Sequence, residues 1–190
     1  MQTHTDNKNF KLWSMIIPDH VKDYTDGEFI NFDLLDDVFF RQPSWKNDWP
    51  DGLELKIVGD LIPADFFEVG MFMIISKKFS DFLQKEVPNS HNFFELLPIK
   101  AFRKKGKYLE FTVINFLTKE DVLDEGNSSS EFGLLSSVVL NKDLLSSCPS
   151  LFKVESRTRV ICMSSSLCDK AEEINIKGVY FLDESDWRAF

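Results

Sequence analysis

The chain of 190 residues carries a formal charge of −9, is 43% hydrophobic and holds 19 phenylalanines against 3 tyrosines. Such a composition excludes an intrinsically disordered chain and suits one well-filled core. The acidic balance disfavours direct nucleic-acid binding, since phosphate is repelled where binders present Lys and Arg.

There is no apolar run of about 18 residues, so no membrane span is expected. The opening MQTHTDNKNF lacks the basic-then-apolar order of a secretory leader. Three cysteines do not form the dense even set of a disulfide-stapled secreted domain, so the reading is a cytoplasmic protein with free thiols.

Along the chain, FKLWSMII (10–17) reads as a strand stopped by Pro18. Between Asp19 and Asp37 stand seven acids, Asp19, Asp23, Asp26, Glu28, Asp33, Asp36 and Asp37, against the single base Lys22, a local balance of −6. The stretch is either a solvated, solubilising surface or the face that meets a basic partner. Within it Phe32, Leu35 and Phe39 fit a short helix, while Ile30 and Phe40 fit a strand equally well. RQPSWKNDWPDG (41–52) reads as a loop. Its Trp45 and Trp49 either cover the edge of the core or anchor a partner.

LELKIVGD (53–60) alternates as a half-buried strand does. In VGMFMIISKKFSDFLQKEV (69–87) a continuous apolar run predicts a buried strand, and Ser76 stands where a helix N-cap is wanted. Phe79, Phe82 and Leu83 then form a helical stripe closed by Pro88 and Asn89. FFELLPI and YLEFTVINFL add strands, and the acidic, polar tract from Glu120 to Gly133 reads as a mobile loop. RVICM (159–163) repeats the buried-strand pattern, Ser164, Ser165 and Ser166 offer helix caps, and Leu167, Ala171 and Ile174 share one helical face. Gly178 ends that helix region and VYFL returns as a strand.

The serine run is therefore a helix start, not a catalytic cluster. Cys162 in a strand, Cys168 early in a helix and Cys148 before Pro149 are packing positions. His4, His20 and His91 make no close ligand pairs with them, so no metal is expected. A helix N-terminus could lower the Cys168 pKa, yet without an adjacent base it makes no nucleophile. Phosphate-binding glycine motifs, HExxH, GxSxG and CxxC are all absent from the sequence. No enzyme and no cofactor are expected.

The order of MIISKKFSDFLQKEV, YLEFTVINFLTKEDVLDEG, VVLNKDLLSSCPSLFKV and RVICMSSSLCDKAEEINIKGVYF resembles a bacterial immunity-protein family of polymorphic toxin systems. The resemblance covers about Leu53 to Leu182 and extends to the upstream WPDGLEL and PADF. It implies a small cytoplasmic protein that binds a cognate toxin effector domain and blocks it, and it brings no catalytic residues and no mapped binding surface.

The reading is an α+β chain: a single compact domain over 1–190, with a mixed sheet and two strand–Ser-capped helix units. Within it lie an acidic N-terminal portion, about 1–52, and a family-like core, about 53–182. The partner is a cognate toxin domain, basic in charge, met through Asp19, Asp23, Asp26, Glu28, Asp33, Asp36, Asp37, Trp45 and Trp49, with no nucleic acid or membrane involved. A generic cytoplasmic interaction module and an enzyme with an unrecognised site are the alternatives.

Overall fold

A computed structural model describes residues 9–14, 25–35, 43–58, 63–103, 107–131, 134–155 and 160–187. In chain order its strands are β1 (Phe10–Ser14), β2 (Asp26–Phe29), β3 (Glu54–Val58), β4 (Phe66–Val69), β5 (Phe72–Ser76), β6 (Phe94–Phe102) and β7 (Tyr108–Phe116). They continue as β8 (Lys119–Glu120), β9 (Ser129–Glu131), β10 (Leu134–Ser137), β11 (Leu151–Val154), β12 (Ile161–Ser164) and β13 (Tyr180–Leu182). The helices are α1 (Lys77–Glu86), α2 (Lys142–Leu145) and α3 (Ser165–Glu173). The chain is thus α+β, with mixed sheets, as its patterns predict. Its contacts gather into two compact units: unit 1 holds Met1–Ser14, Thr118–Ile174 and Tyr180–Phe190, and unit 2 holds Met15–Leu117 and Asn175–Val179.

Unit 2 is a six-stranded sheet in the order β2-β3-β6-β7-β5-β4. β3 and β6 run parallel, and every other neighbouring pair is antiparallel. β4 and β5 form a tight hairpin in which Val69 faces Phe72, and Gly70 supplies the positive φ of 61° that such a two-residue turn requires. The outermost strands return toward each other. Thr25 Oγ1 accepts from the Ala64 amide at 2.8 Å, and a Cβ on Gly27 would stand 3.1 Å from Val69 Cγ2, so the rolled sheet resembles a barrel.

Inside it pack Phe29, Leu55, Ile57, Phe67, Phe72, Ile74, Leu97, Ile99, Phe111 and Val113. Strict alternation sends these positions to one face. Burying a Phe such as Phe72, only 1% exposed, is worth about 1.5–3 kcal/mol. The opposite face of β5 and β7 is covered by α1, whose buried Phe79, Phe82 and Leu83 are the stripe seen in the sequence.

Ser76 caps α1 as expected: its hydroxyl oxygen accepts from the Phe79 amide at 3.2 Å and its O–H donates to Asp65 Oδ1 at 2.6 Å. Asp65 also holds the segment 175–179, its Oδ2 accepting from the Lys177 amide at 3.0 Å. Gly178 (φ 88°) permits that approach, because a Cβ there would come within 2.2 Å of the Phe66 carbonyl oxygen.

Unit 1 is a five-stranded sheet in the order β13-β1-β12-β11-β8, with β9 and β10 as a separate ribbon. One face buries Phe10, Leu12, Phe152, Val154, Val160 and Cys162 together with Val122, Val138 and Trp187. α3 lies against β12 and β1, burying Leu167, Cys168 and Ala171.

Two expectations need correction. The tract from Glu120 to Gly133 is not simply a loop: it supplies the end of β8, a bridge from Leu123 to Leu140, and β9. Val122 there is 2% exposed, and the Asp124 amide donates to the Val139 carbonyl at 2.9 Å. Buried Val122 and backbone bonds such as that from the Asn141 amide to the Val122 carbonyl at 2.8 Å hold a stretch whose composition is polar. Ser164 occupies the N-cap of α3, yet its side chain makes no cap hydrogen bond. The first strand is described over Phe10–Ser14, and the remainder of the expected segment, 15–17, lies outside the described residues.

Candidate interaction surface

Of the acids singled out in the sequence, Asp26 and Glu28 stand on the outer face of β2, which continues over β3. Register sets Asp26 opposite Val58 and Glu28 opposite Lys56, with Gly27 and Phe29 turned inward against Ile57 and Leu55. The face continues across β6 and β7, where Lys56 opposes Phe102 and Glu54 opposes Lys100, while Phe102 and Lys100 oppose Tyr108 and Glu110. Glu28 and Lys56 form an exposed pair at 3.7 Å, worth little to stability. Phe102 and Tyr108 meet edge-on with ring centroids 6.2 Å apart.

After β2 the chain turns through a short 3-10 helix, Phe32–Leu35, while the rest of the helix-or-strand segment, 36–40, lies outside the described residues. Leu35 plugs the core, whereas Asp33 is exposed beside Ile30 and Leu34, themselves 51% and 41% exposed. Of the acids singled out in the sequence, Asp26, Glu28 and Asp33 are therefore solvent-facing. Asp19, Asp23, Asp36 and Asp37 lie outside the described residues.

The tryptophans behave differently. Trp45 is 8% exposed and belongs to the unit 2 core. It stacks on Trp49 at 6.4 Å with rings 5° from parallel, and both meet Phe72 edge-on. Trp49, half-buried, donates its Nε1–H to the Pro98 carbonyl at 2.9 Å. Among the described residues the Trp45 indole N–H has no hydrogen-bond partner.

Glu95 fixes this loop, a role that no sequence signal announced. Its carboxylate accepts from the Ser44 hydroxyl, from the Trp45 amide at 2.9 Å and from the Asn115 amide group at 3.1 Å. Asn115, 6% exposed, donates in addition to the Pro43 carbonyl at 2.9 Å. Val58 and Tyr108, 49% and 62% exposed, were also missed, because a two-residue period marks which residues share a face but not which face stays uncovered.

All three cysteines are buried. Burial raises the Cys168 thiol to about 12, outweighing the lowering effect of Lys11, and burial likewise pushes the Cys162 thiol well above its usual range. A lowered pKa at the start of α3 is thus corrected: desolvation of the thiolate dominates the helix-end field. Among the described residues no group of three or more His, Cys, Asp or Glu could hold a metal ion, and His91 sits exposed on a 3-10 turn, Ser90–Asn92. No described helix is long and apolar enough to cross a membrane.

No family model matches the chain, and no curated protein matches it.

Proposed function

We propose that this chain is an immunity protein, a cytoplasmic inhibitor that binds a cognate bacterial toxin domain and neutralises it by occlusion, without chemistry of its own. The order of strands and Ser-capped helices, which resembles that family in the sequence, motivates the reading. The observation that carries it is the solvent-facing group of Asp26, Glu28 and Asp33 interleaved with exposed Ile30 and Leu34. Carboxylates there attract a basic partner and orient the encounter, and the apolar side chains supply area that gains by leaving water.

Protection is the direct test. Cells making the C-terminal domain of the protein encoded immediately upstream should grow only when this chain is co-expressed, and the two purified proteins should form a stable complex. With that domain as ligand, the triple variant D26N/E28Q/D33N should associate more slowly and with a flatter salt dependence, while dissociation changes little. Failure of the parent chain to protect or to bind would remove the proposal.

A further inference from the structure

The sheets of the two units share one arrangement and differ in how the chain reaches it. In unit 2 the order β6-β7-β5-β4 is built from a continuous run of sequence, β4, β5, α1, β6 and β7, between Phe66 and Phe116. In unit 1 the order β13-β1-β12-β11 is built from β11, β12, α3 and β13, between Leu151 and Leu182, together with β1 at Phe10–Ser14. All three neighbouring pairs are antiparallel in both sheets.

The registers coincide. Ser76 opposes Phe111 and Ile74 opposes Val113, just as Ser164 opposes Phe10 and Cys162 opposes Leu12. Phe67 faces Ile74 where Phe152 faces Cys162, and Leu97 faces Val113 where Leu182 faces Leu12. Phe67 and Phe111 meet edge-on at 5.5 Å, Phe152 and Phe10 at 5.3 Å. The Ser76 amide donates to the Asp65 carbonyl at 2.8 Å, and the Ser164 amide to the Ser150 carbonyl at 2.8 Å. β1 thus stands where β7 stands, and it alone of the four strands comes from outside the run of sequence that supplies the others.

β1 also holds that sheet together. Among the described residues β13 pairs with no strand but β1, which separates it from β12. Leu12, Trp13 and Ser14 are 0%, 4% and 5% exposed. The Trp13 Nε1–H donates to Met163 Sδ at 3.3 Å, 150 positions along the chain. The Ser165 amide donates to the Asn9 carbonyl at 2.8 Å, and the Trp187 Nε1–H reaches back to the Trp13 carbonyl at 3.2 Å. Every strand pair of the unit 2 module forms within 66–116, whereas β1 meets partners that are the last strands of the chain to be described. Closing so long a span costs more entropy, and contacts distant in sequence form more slowly.

We infer that β1 is a clasp. The unit 2 module forms first from its own continuous sequence, and unit 1 is completed afterwards, when β12 captures β1 and β13 docks on the edge that β1 then offers. Before that step β13 has no ladder to join, and Phe10, Leu12 and Trp13 have no core to enter. β1 and β13 therefore form one cooperative element, made of segments from opposite ends of the described chain.

Pulsed amide labelling during refolding of the full chain, resolved by residue, tests this order. β5, β6 and β7 should be protected in an early phase, and β1 and β13 together in a phase about ten-fold slower or more. Protection of β1 as early as β7, or of β13 before β1, overturns the assignment. A permuted chain moves the clasp: residue 190 is joined to residue 1 and the chain is opened between Ser14 and Met15, so that β1 follows β13 as β7 follows β6. Leu182 and Phe10 are then separated by 17 residues (183–190 and 1–9), against 13 (98–110) between Leu97 and Phe111. Both chains hold the same prolines, so a phase limited by proline isomerisation would keep its rate, while completion of unit 1 should accelerate about ten-fold or more. An unchanged late phase in a folded permutant overturns the clasp. Should the permutant not fold, the order of protection in the parent decides alone.

Discussion

Ser76 and Ser164 stand at the same position of two matching sheets, opposite Phe111 and Phe10, yet only Ser76 caps its helix through its side chain. The Ser76 hydroxyl is held by Asp65 at 2.6 Å, which aims its oxygen at the Phe79 amide. The residue equivalent to Asp65 is Ser150, and the Ser164 hydroxyl instead lies 3.5 Å from that of Ser166. Ser76→Ala should therefore cost about 1–2 kcal/mol. Ser164→Ala should cost less than about 0.5 kcal/mol. Urea denaturation of the two variants beside the parent measures the contrast, and equal losses would contradict it.

Glu95 should prove to be the main tie of the tryptophan loop. Glu95→Ala leaves three donors, from Ser44, Trp45 and Asn115, without their acceptor, and should destabilise the protein by about 2 kcal/mol. Amide exchange at residues 44–49 should accelerate more than at β5 or β7. Uniform acceleration would mean that Glu95 supports the whole sheet and not this loop.

Trp49 carries both packing and a hydrogen bond, so its substitutions separate the two. Trp49→Phe keeps a ring against Trp45 and Phe72 but loses the donor to Pro98, at a cost of about 1 kcal/mol. Trp49→Ala also leaves a cavity, for a total on the order of 3 kcal/mol. Any loss of partner binding by Trp49→Ala must be compared with this loss of stability, and Trp49→Phe gives the comparison with the core nearly intact.

Alkaline pH should destabilise the protein through its thiols. Cys168 is raised from 9.0 to about 12 in the folded state. Above pH 9 the unfolded chain gives up a proton that the folded chain retains, so stability contributed by the neutral thiol is complete below pH 9 and falls as pH rises toward 12. The slope is about 1.4 kcal/mol per pH unit for one such group. Cys168→Ala should flatten the decline of the denaturation midpoint between pH 9 and 11. An unchanged slope would place the effect on other groups.

Local pattern alone determined a good part of this protein. The apolar run before Ser76 and the stripe Phe79, Phe82, Leu83 specify a strand and an amphipathic helix because side-chain period and cap chemistry are properties of neighbouring residues. RVICMSSSLCDKAEEI yields its strand and helix to the same side-chain period, although Ser164 makes no side-chain cap bond and Ile174 is 41% exposed. What the sequence left open is every decision that depends on residues far apart in the chain. Only the tertiary structure places β1 between β12 and β13, sends Trp45 into the core beside Phe72, aims Glu95 at the loop around it, and raises the Cys168 pKa by burial. Which acids share one face was equally hidden: Asp26 and Glu28 do so because β2 pairs with β3 in a register fixed by the inward Phe29 and Leu55. Strand partners are chosen by the long-range burial that repays loop closure, and no window of sequence contains both halves of that choice.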